Sequence, residues 1–179
     1  MRYFSIAPIK IIYYFRMNEP FPLKKKIKYC VIAVLVCLLI GFLSGFATQS
    51  SVDTWYVHLN KPALNPPNWI FPVVWTILYI LMGIAAGMVW ARGFYHVWVK
   101  TALYYFGFQL LFNGLWSIVF FGFRRPLAAL GVILVLLVLL ALTIKWFKVV
   151  STRAAYLLLP YFLWVCFATY LNYKIWVLN

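Results

Sequence analysis

Hydrophobic positions along this chain come in long unbroken runs rather than in alternation. Five runs stand out, at about Tyr29 to Gln49, Trp69 to Trp90, Val97 to Phe121, Leu127 to Phe147 and Ala154 to Val177. Each exceeds the roughly 18 residues that carry an α-helix across hydrocarbon, and none holds a charge at its centre. Continuous runs indicate helices, because barrel strands alternate apolar and polar residues. The pattern predicts an all-α membrane protein, a five-transmembrane-helix bundle. Residues 1-28 stand apart as a basic N-terminal extension, and 29-179 form one transmembrane domain.

The first connection breaks the pattern most sharply. From Trp55 to Trp75 it reads WYVHLNKPALNPPNWIFPVVW, with prolines at Pro62, Pro66, Pro67 and Pro72. Prolines withhold backbone donors and hold the chain extended, so this long proline-rich loop between the first two spans cannot cross hydrocarbon. It is expected over the helix ends, as a stiff tryptophan-bearing lid on a pocket for a flat, apolar ligand.

Composition agrees: 66% of residues are hydrophobic, 21% aromatic and only 10% charged. Soluble domains are about a quarter charged, so the partner implied first is a lipid bilayer. The net charge of +14 does not point to nucleic acid, since the cations form no stripe beside exposed aromatics. They set topology instead. Twelve fall on one side (Arg2, Lys10, Arg16, Lys24, Lys25, Lys26, Lys28, Arg92, Lys100, Lys145, Lys148, Arg153) and four on the other (Lys61, Arg124, Arg125, Lys174). That bias places the N-terminus in the cytoplasm and the proline loop outside. It favours a bacterial inner membrane over a mitochondrial outer one.

The N-terminal segment has two readings. Its apolar patch Ile11 to Phe15 forms a small amphipathic segment in the membrane surface. Alternatively, Met17 is the true start and the residues before it are an upstream extension. A cleaved signal peptide is not expected.

Only two carboxylates exist, Glu19 and Asp53, both outside the spans. Paired carboxylates for acid/base work and a buried acidic proton relay are therefore excluded. Cys30, Cys37, Cys166, His58 and His96 lack zinc-ligand spacing, so no metal site or cofactor is expected, and the cysteines read as small apolar packers. Within the third span Gln109, Asn113 and Ser117 recur every four residues on one face. They serve either as interhelical glue or, for Gln109 and Asn113, as hydrogen-bonding partners of a ligand's polar edge. The second span carries Trp75 and Tyr79 one turn apart. Its Gly83 and Gly87, like Gly41 and Gly45 of the first span, are expected to allow close helix contact. Pro160, Trp164, Ala168 and Asn172 share steps of four in the fifth span. Ala168 beside Trp164 leaves a recess, making Trp75 and Trp164 candidates for two walls of one pocket, against ordinary aromatic core packing.

Five motifs in order resemble one known family. They are WY at Trp55 and Tyr56; KPxxxPPxW from Lys61 to Trp69; VWTxLYxLMG from Val74 to Gly83; QxxxNxxWS from Gln109 to Ser117; and PYxxWxxFATxLN from Pro160 to Asn172. Together they resemble the TspO/MBR family, the translocator proteins, also called tryptophan-rich sensory proteins or peripheral-type benzodiazepine receptors. The resemblance covers nearly everything from about Cys30 onward. It implies a five-helix bundle, dimeric as a rule, that binds protoporphyrin IX or related tetrapyrroles, sterols in some members, and benzodiazepine-type ligands. Carried over by position, the ligand site involves Trp55, Tyr56, Pro66, Trp75, Gln109, Asn113, Trp164 and Ala168, with Tyr79 added from the spacing. Some bacterial members are reported to degrade protoporphyrin in light and oxygen. That activity implicates Trp75 and Trp164 as catalytic residues, with the porphyrin as substrate. Animal members end their sterol motif with an arginine after the last tryptophan. Here Val177 follows Trp176, and this position departs from the motif. Val165, Tyr170 and Lys174 fit a looser sterol pattern that many helices match.

The leading expectation is thus a membrane tetrapyrrole-binding translocator or sensory protein. A light-dependent porphyrin-degrading enzyme and a facilitator of porphyrin or sterol passage stand as alternatives. Lys61 is either solvated or a partner for a propionate.

Overall fold

The computed structural model describes residues 22–179, apart from the side chains of Ala47 and Thr48; the Ile11 to Phe15 patch and Met17 lie outside that range. Helix α1 (Leu23–Thr54) is 32 residues long, about 48 Å at 1.5 Å per residue, against a hydrocarbon layer of about 30 Å. It therefore begins before the apolar run, taking in Lys24 to Lys28, and ends beyond it. Straight-chain lysines are good helix formers and Pro22 supplies a fixed start, so charge does not stop the helix where hydropathy does. The far end stops where the Trp55 N–H closes on the Ser51 carbonyl at 3.0 Å.

Helix α2 (Ile70–Trp90) accepts Pro72 in its first turn, where the missing donor costs nothing. Helix α3 (Val97–Ser117) runs on into one wide turn, Ile118–Gly122. The Phe123 N–H reaches back five residues to the Ile118 carbonyl at 2.9 Å and the Arg125 N–H reaches the Val119 carbonyl at 3.2 Å. Arg124 follows with φ of 55°, a left-handed backbone. Helix α4 (Pro126–Val150) opens on a proline. One extended residue, Ser151, reverses the chain into α5 (Thr152–Leu157), and α6 (Leu159–Leu178) completes the fifth span. The break between α5 and α6 belongs to Pro160. It has no N–H for the Tyr156 carbonyl, and its ring crowds that turn.

Among the described residues, five helical stretches are thus long and apolar enough to cross a membrane, as the runs predict. The core lies between α2, α3, α4 and α6, around Met82, Leu136, Leu140, Phe147 and Tyr161, all fully buried. Helix α1 packs on one side of it. Toward the start of α1 and the end of α2 the two helices meet backbone to backbone: a Cβ on Gly83 would overlap Val34, and one on Gly87 would overlap Cys30. The pair in α1 behaves differently from its spacing. A Cβ on Gly41 would strike the Tyr79 ring, whereas one on Gly45 would meet nothing within 4 Å. Helices α1 and α2 thus touch at one end and part toward the other.

Candidate functional site

The space opened by that divergence is a chamber of about 860 Å³. Helix α1 gives it one wall from Leu38 to Asp53, α2 another from Phe71 to Tyr79, and α6 a third through Ala168, Leu171 and Asn172. The C-terminal end of α3 closes the back with Asn113 and Trp116. Its wide turn adds Phe120 and Phe121, two consecutive rings that both face the chamber. A regular helix turns consecutive side chains about 100° apart, and the wider turn changes that angle.

The loop forms the roof. Tyr56 is buried, stands edge-on to Phe71, Phe120 and Phe121, and donates its hydroxyl to Asn65 Oδ1 at 2.8 Å. Burial pushes the Tyr56 phenol above its ordinary range, and the Asn65 bond opposes this in part. Asn65 in turn donates to the Pro66 carbonyl at 3.0 Å. Lys61 Nζ donates to the Val57 carbonyl at 3.1 Å and lies 4.9 Å from the Tyr56 ring centroid. Asn60 and Asn179 hold the roof to the end of α6 through reciprocal bonds, Asn60 N–H to Asn179 Oδ1 at 3.0 Å and Asn179 Nδ2 to the Asn60 carbonyl at 3.1 Å. The loop is therefore a tied structure, not a free strap.

Aromatic rings line the interior in contact with one another. The Trp75 ring centroid lies 5.8 Å from Tyr79, 6.1 Å from Trp116 and 6.2 Å from Tyr161. Behind them runs a directed hydrogen-bond chain. Tyr79 donates to Asn113 Oδ1 at 2.6 Å, Asn113 Nδ2 donates to the Tyr161 hydroxyl at 2.9 Å, and Tyr161 donates to Gln109 Oε1 at 3.0 Å. The chain ties α2, α3 and α6 together. Trp116 Nε1 donates to Asn172 Oδ1 at 3.0 Å, and Asn172 Nδ2 reaches the Pro126 carbonyl at 2.7 Å.

Of the residues expected at the site, Tyr56, Trp75, Tyr79, Asn113 and Ala168 line the chamber, while Trp55, Pro66, Gln109 and Trp164 do not. Trp55 packs edge-on against Phe120 at 5.7 Å, and Pro66 is a half-buried strut of the roof. Gln109 is fully buried as glue, with its Nε2 unpartnered. Trp164 stands behind Phe71, ring centroids 6.1 Å apart, with its indole nitrogen buried and unpartnered. Steps of four on a helix drift by about 40° each, whereas a step of seven drifts back by only about 20°. Tyr161, seven residues before Ala168, is therefore closer to the chamber's side of α6 than Trp164. That spacing could have found Tyr161 from the sequence. No comparable signal marked Phe120 and Phe121, whose placement depends on the wide turn. Among the described residues, no group of three or more His, Cys, Asp or Glu side chains gathers as metal ligands would.

A sequence model of the TspO/MBR family matches residues 33–177, from the first span into the last. The tryptophan-rich protein TspO of Archaeoglobus fulgidus is 44% identical over 149 residues, covering 83% of this chain and 95% of that protein. The tryptophan-rich sensory protein of Cereibacter sphaeroides is 43% identical over 128 residues, with 71% and 78% covered. The human translocator protein is 40% identical over 125 residues, with 68% and 73% covered. A family match running from the first span into the last, on five helices able to cross a membrane, leaves one conclusion: the chain is a multi-pass membrane protein that belongs to the TspO/MBR family.

Proposed function

We propose that this protein binds a tetrapyrrole of the protoporphyrin IX type in the chamber under its roof, as a translocator or sensor in the membrane. One observation carries the reading: a chamber of about 860 Å³ walled by Trp75, Tyr79, Trp116 and Phe120, with only a few polar groups among them. Small-molecule sites run to about 300–1,000 Å³ and join apolar walls to a few orienting polar groups. Indole and phenol rings offer a planar macrocycle stacking and edge contacts. Tyr79 and Asn113 are largely committed to each other, so they shape the inner wall more than they bind. In this reading the roof faces away from the cytoplasm, by the cation bias of the connections, and the membrane is a bacterial inner one.

Titration of the purified protein with protoporphyrin IX, followed by the porphyrin's visible absorption, tests the proposal. Trp75→Ala should weaken binding about tenfold or more through the lost ring contacts. Saturable binding that Trp75→Ala leaves unchanged would refute the chamber assignment. The continuous contact of Trp75, Trp116 and Tyr79 also favours a second reading, in which these rings hold a light-excited porphyrin that activates dioxygen, and both oxygen atoms add across one carbon–carbon bond of the macrocycle, opening it. A defined ring-opened product under illumination, abolished by Trp75→Phe, would support it; equal bleaching by both proteins would eliminate it.

A further inference from the structure

We propose that Asp53 sets the charge preference of the chamber, so that among tetrapyrroles it disfavours carboxylate-bearing guests relative to their uncharged esters. The inference rests on the tetrapyrrole reading above and adds to it which members of the class fit. Asp53 lies in the last turn of α1, at the roofed end, exposed and lining the chamber. It is the one acidic residue in the stretch 22–179. No lysine, arginine or histidine shares the lining with it. Lys61, the cation of the roof, is held against the Tyr56 ring and the Val57 carbonyl and is not a lining residue.

A chain with a net charge of +14 thus presents a chamber whose single formal charge is negative. The surrounding wall is mostly aromatic and aliphatic, and such surroundings extend the reach of a charge, while water at the open end shortens it. The propionates of a porphyrin project from one edge of the ring. A guest seated with that edge toward the roof brings them to Asp53, and one seated the other way brings them to the apolar inner end. Either pose costs a dicarboxylate part of the affinity that its ester keeps. The dimethyl ester has the same ring without the penalty. Gln49, Asn68 and Thr76, also on the lining, can donate to acid and ester alike; their bonds to a carboxylate are the stronger and oppose the preference in part.

The test compares protoporphyrin IX with its dimethyl ester on the full-length wild-type protein and on Asp53→Asn and Asp53→Glu, at low and high salt. Asp53→Asn should tighten protoporphyrin IX binding about three- to tenfold, the range for one partly screened charge. Ester binding should stay within about twofold, which also reports an intact fold, and the gain should shrink as salt rises. Asp53→Glu should keep the wild-type preference. Protoporphyrin IX affinity unmoved by Asp53→Asn, or an equal shift for both guests, would overturn the charge preference and leave the tetrapyrrole reading standing. Failure of the wild-type protein to bind either guest would overturn both.

Discussion

Adding a single methyl group at Gly87 tests the contact that makes the chamber a wedge. A Cβ there would overlap the Cα of Cys30 and lie 2.6 Å from its nitrogen and 2.8 Å from the Tyr29 carbonyl carbon. At Gly83 the equivalent atom would overlap the Cα of Val34 and lie 2.6 Å from its nitrogen. These obstacles include backbone, so no rotamer change clears them. The two helices must part by roughly 1 Å, and overpacking of this kind costs about 1–3 kcal/mol. Alanine returns about 1 kcal/mol of helix propensity over glycine, so each substitution should cost a net 1–2 kcal/mol or so. Thermal unfolding in detergent, followed by near-ultraviolet circular dichroism, should show Tm lowered by about 2–8 °C for each variant. Gly131→Ala is the control, because its Cβ would meet nothing within 4 Å; it should leave Tm unchanged or raise it. Gly87→Ala at or above the wild-type Tm would refute the close α1–α2 contact.

Three further outcomes follow from the geometry. Asn113→Leu strips the Tyr79 hydroxyl of its acceptor and the Tyr161 hydroxyl of a donor, and should cost about 2–4 kcal/mol in denaturant unfolding; adding Tyr79→Phe should recover part of it. Arg124→Gly relieves a left-handed backbone at a residue with a Cβ and should stabilise by about 1 kcal/mol, raising the same transition. Because burial raises the Tyr56 phenol in the folded state, its contribution is fully present below the unfolded value near 10 and is lost as pH rises through the higher folded value. Tyr56→Phe should flatten that alkaline fall in stability, and an unchanged fall would place its origin elsewhere.

The spans were legible because an apolar run of sufficient length in a nearly uncharged sequence has one stable outcome, a helix across hydrocarbon. Their ends were less so. Hydropathy marks where lipid stops, not where a helix stops, and α1 continues through Lys24–Lys28 and past Gln49. The chamber's lining was legible where short-range spacing decides it, as with Trp75 and Tyr79 one turn apart. The lining is harder to read where helical drift accumulates. Trp164 and Ala168 are four apart, yet only Ala168 reaches the chamber, and Phe71 stands in front of the indole. The polar stripe of α3 divides in the same way, Asn113 reaching the chamber and Gln109 serving as buried glue. Tyr161 joins both amides and could be found only by pairing it with Ala168 at seven residues.

In the proposed function, one aromatic chamber, walled by α1, α2, α3 and α6 under the tied loop, receives a flat guest. Fluorine NMR of protein labelled with 5-fluorotryptophan, assigned by single substitutions, tests it most directly during titration with protoporphyrin IX. Trp75 and Trp116, on the lining, should shift with the ring current of the macrocycle. Trp98 and Trp146, stacked on each other at 5.7 Å away from the chamber, should stay in place. Shifts confined to Trp98 and Trp146, with Trp75 and Trp116 unmoved at saturation, would contradict the account.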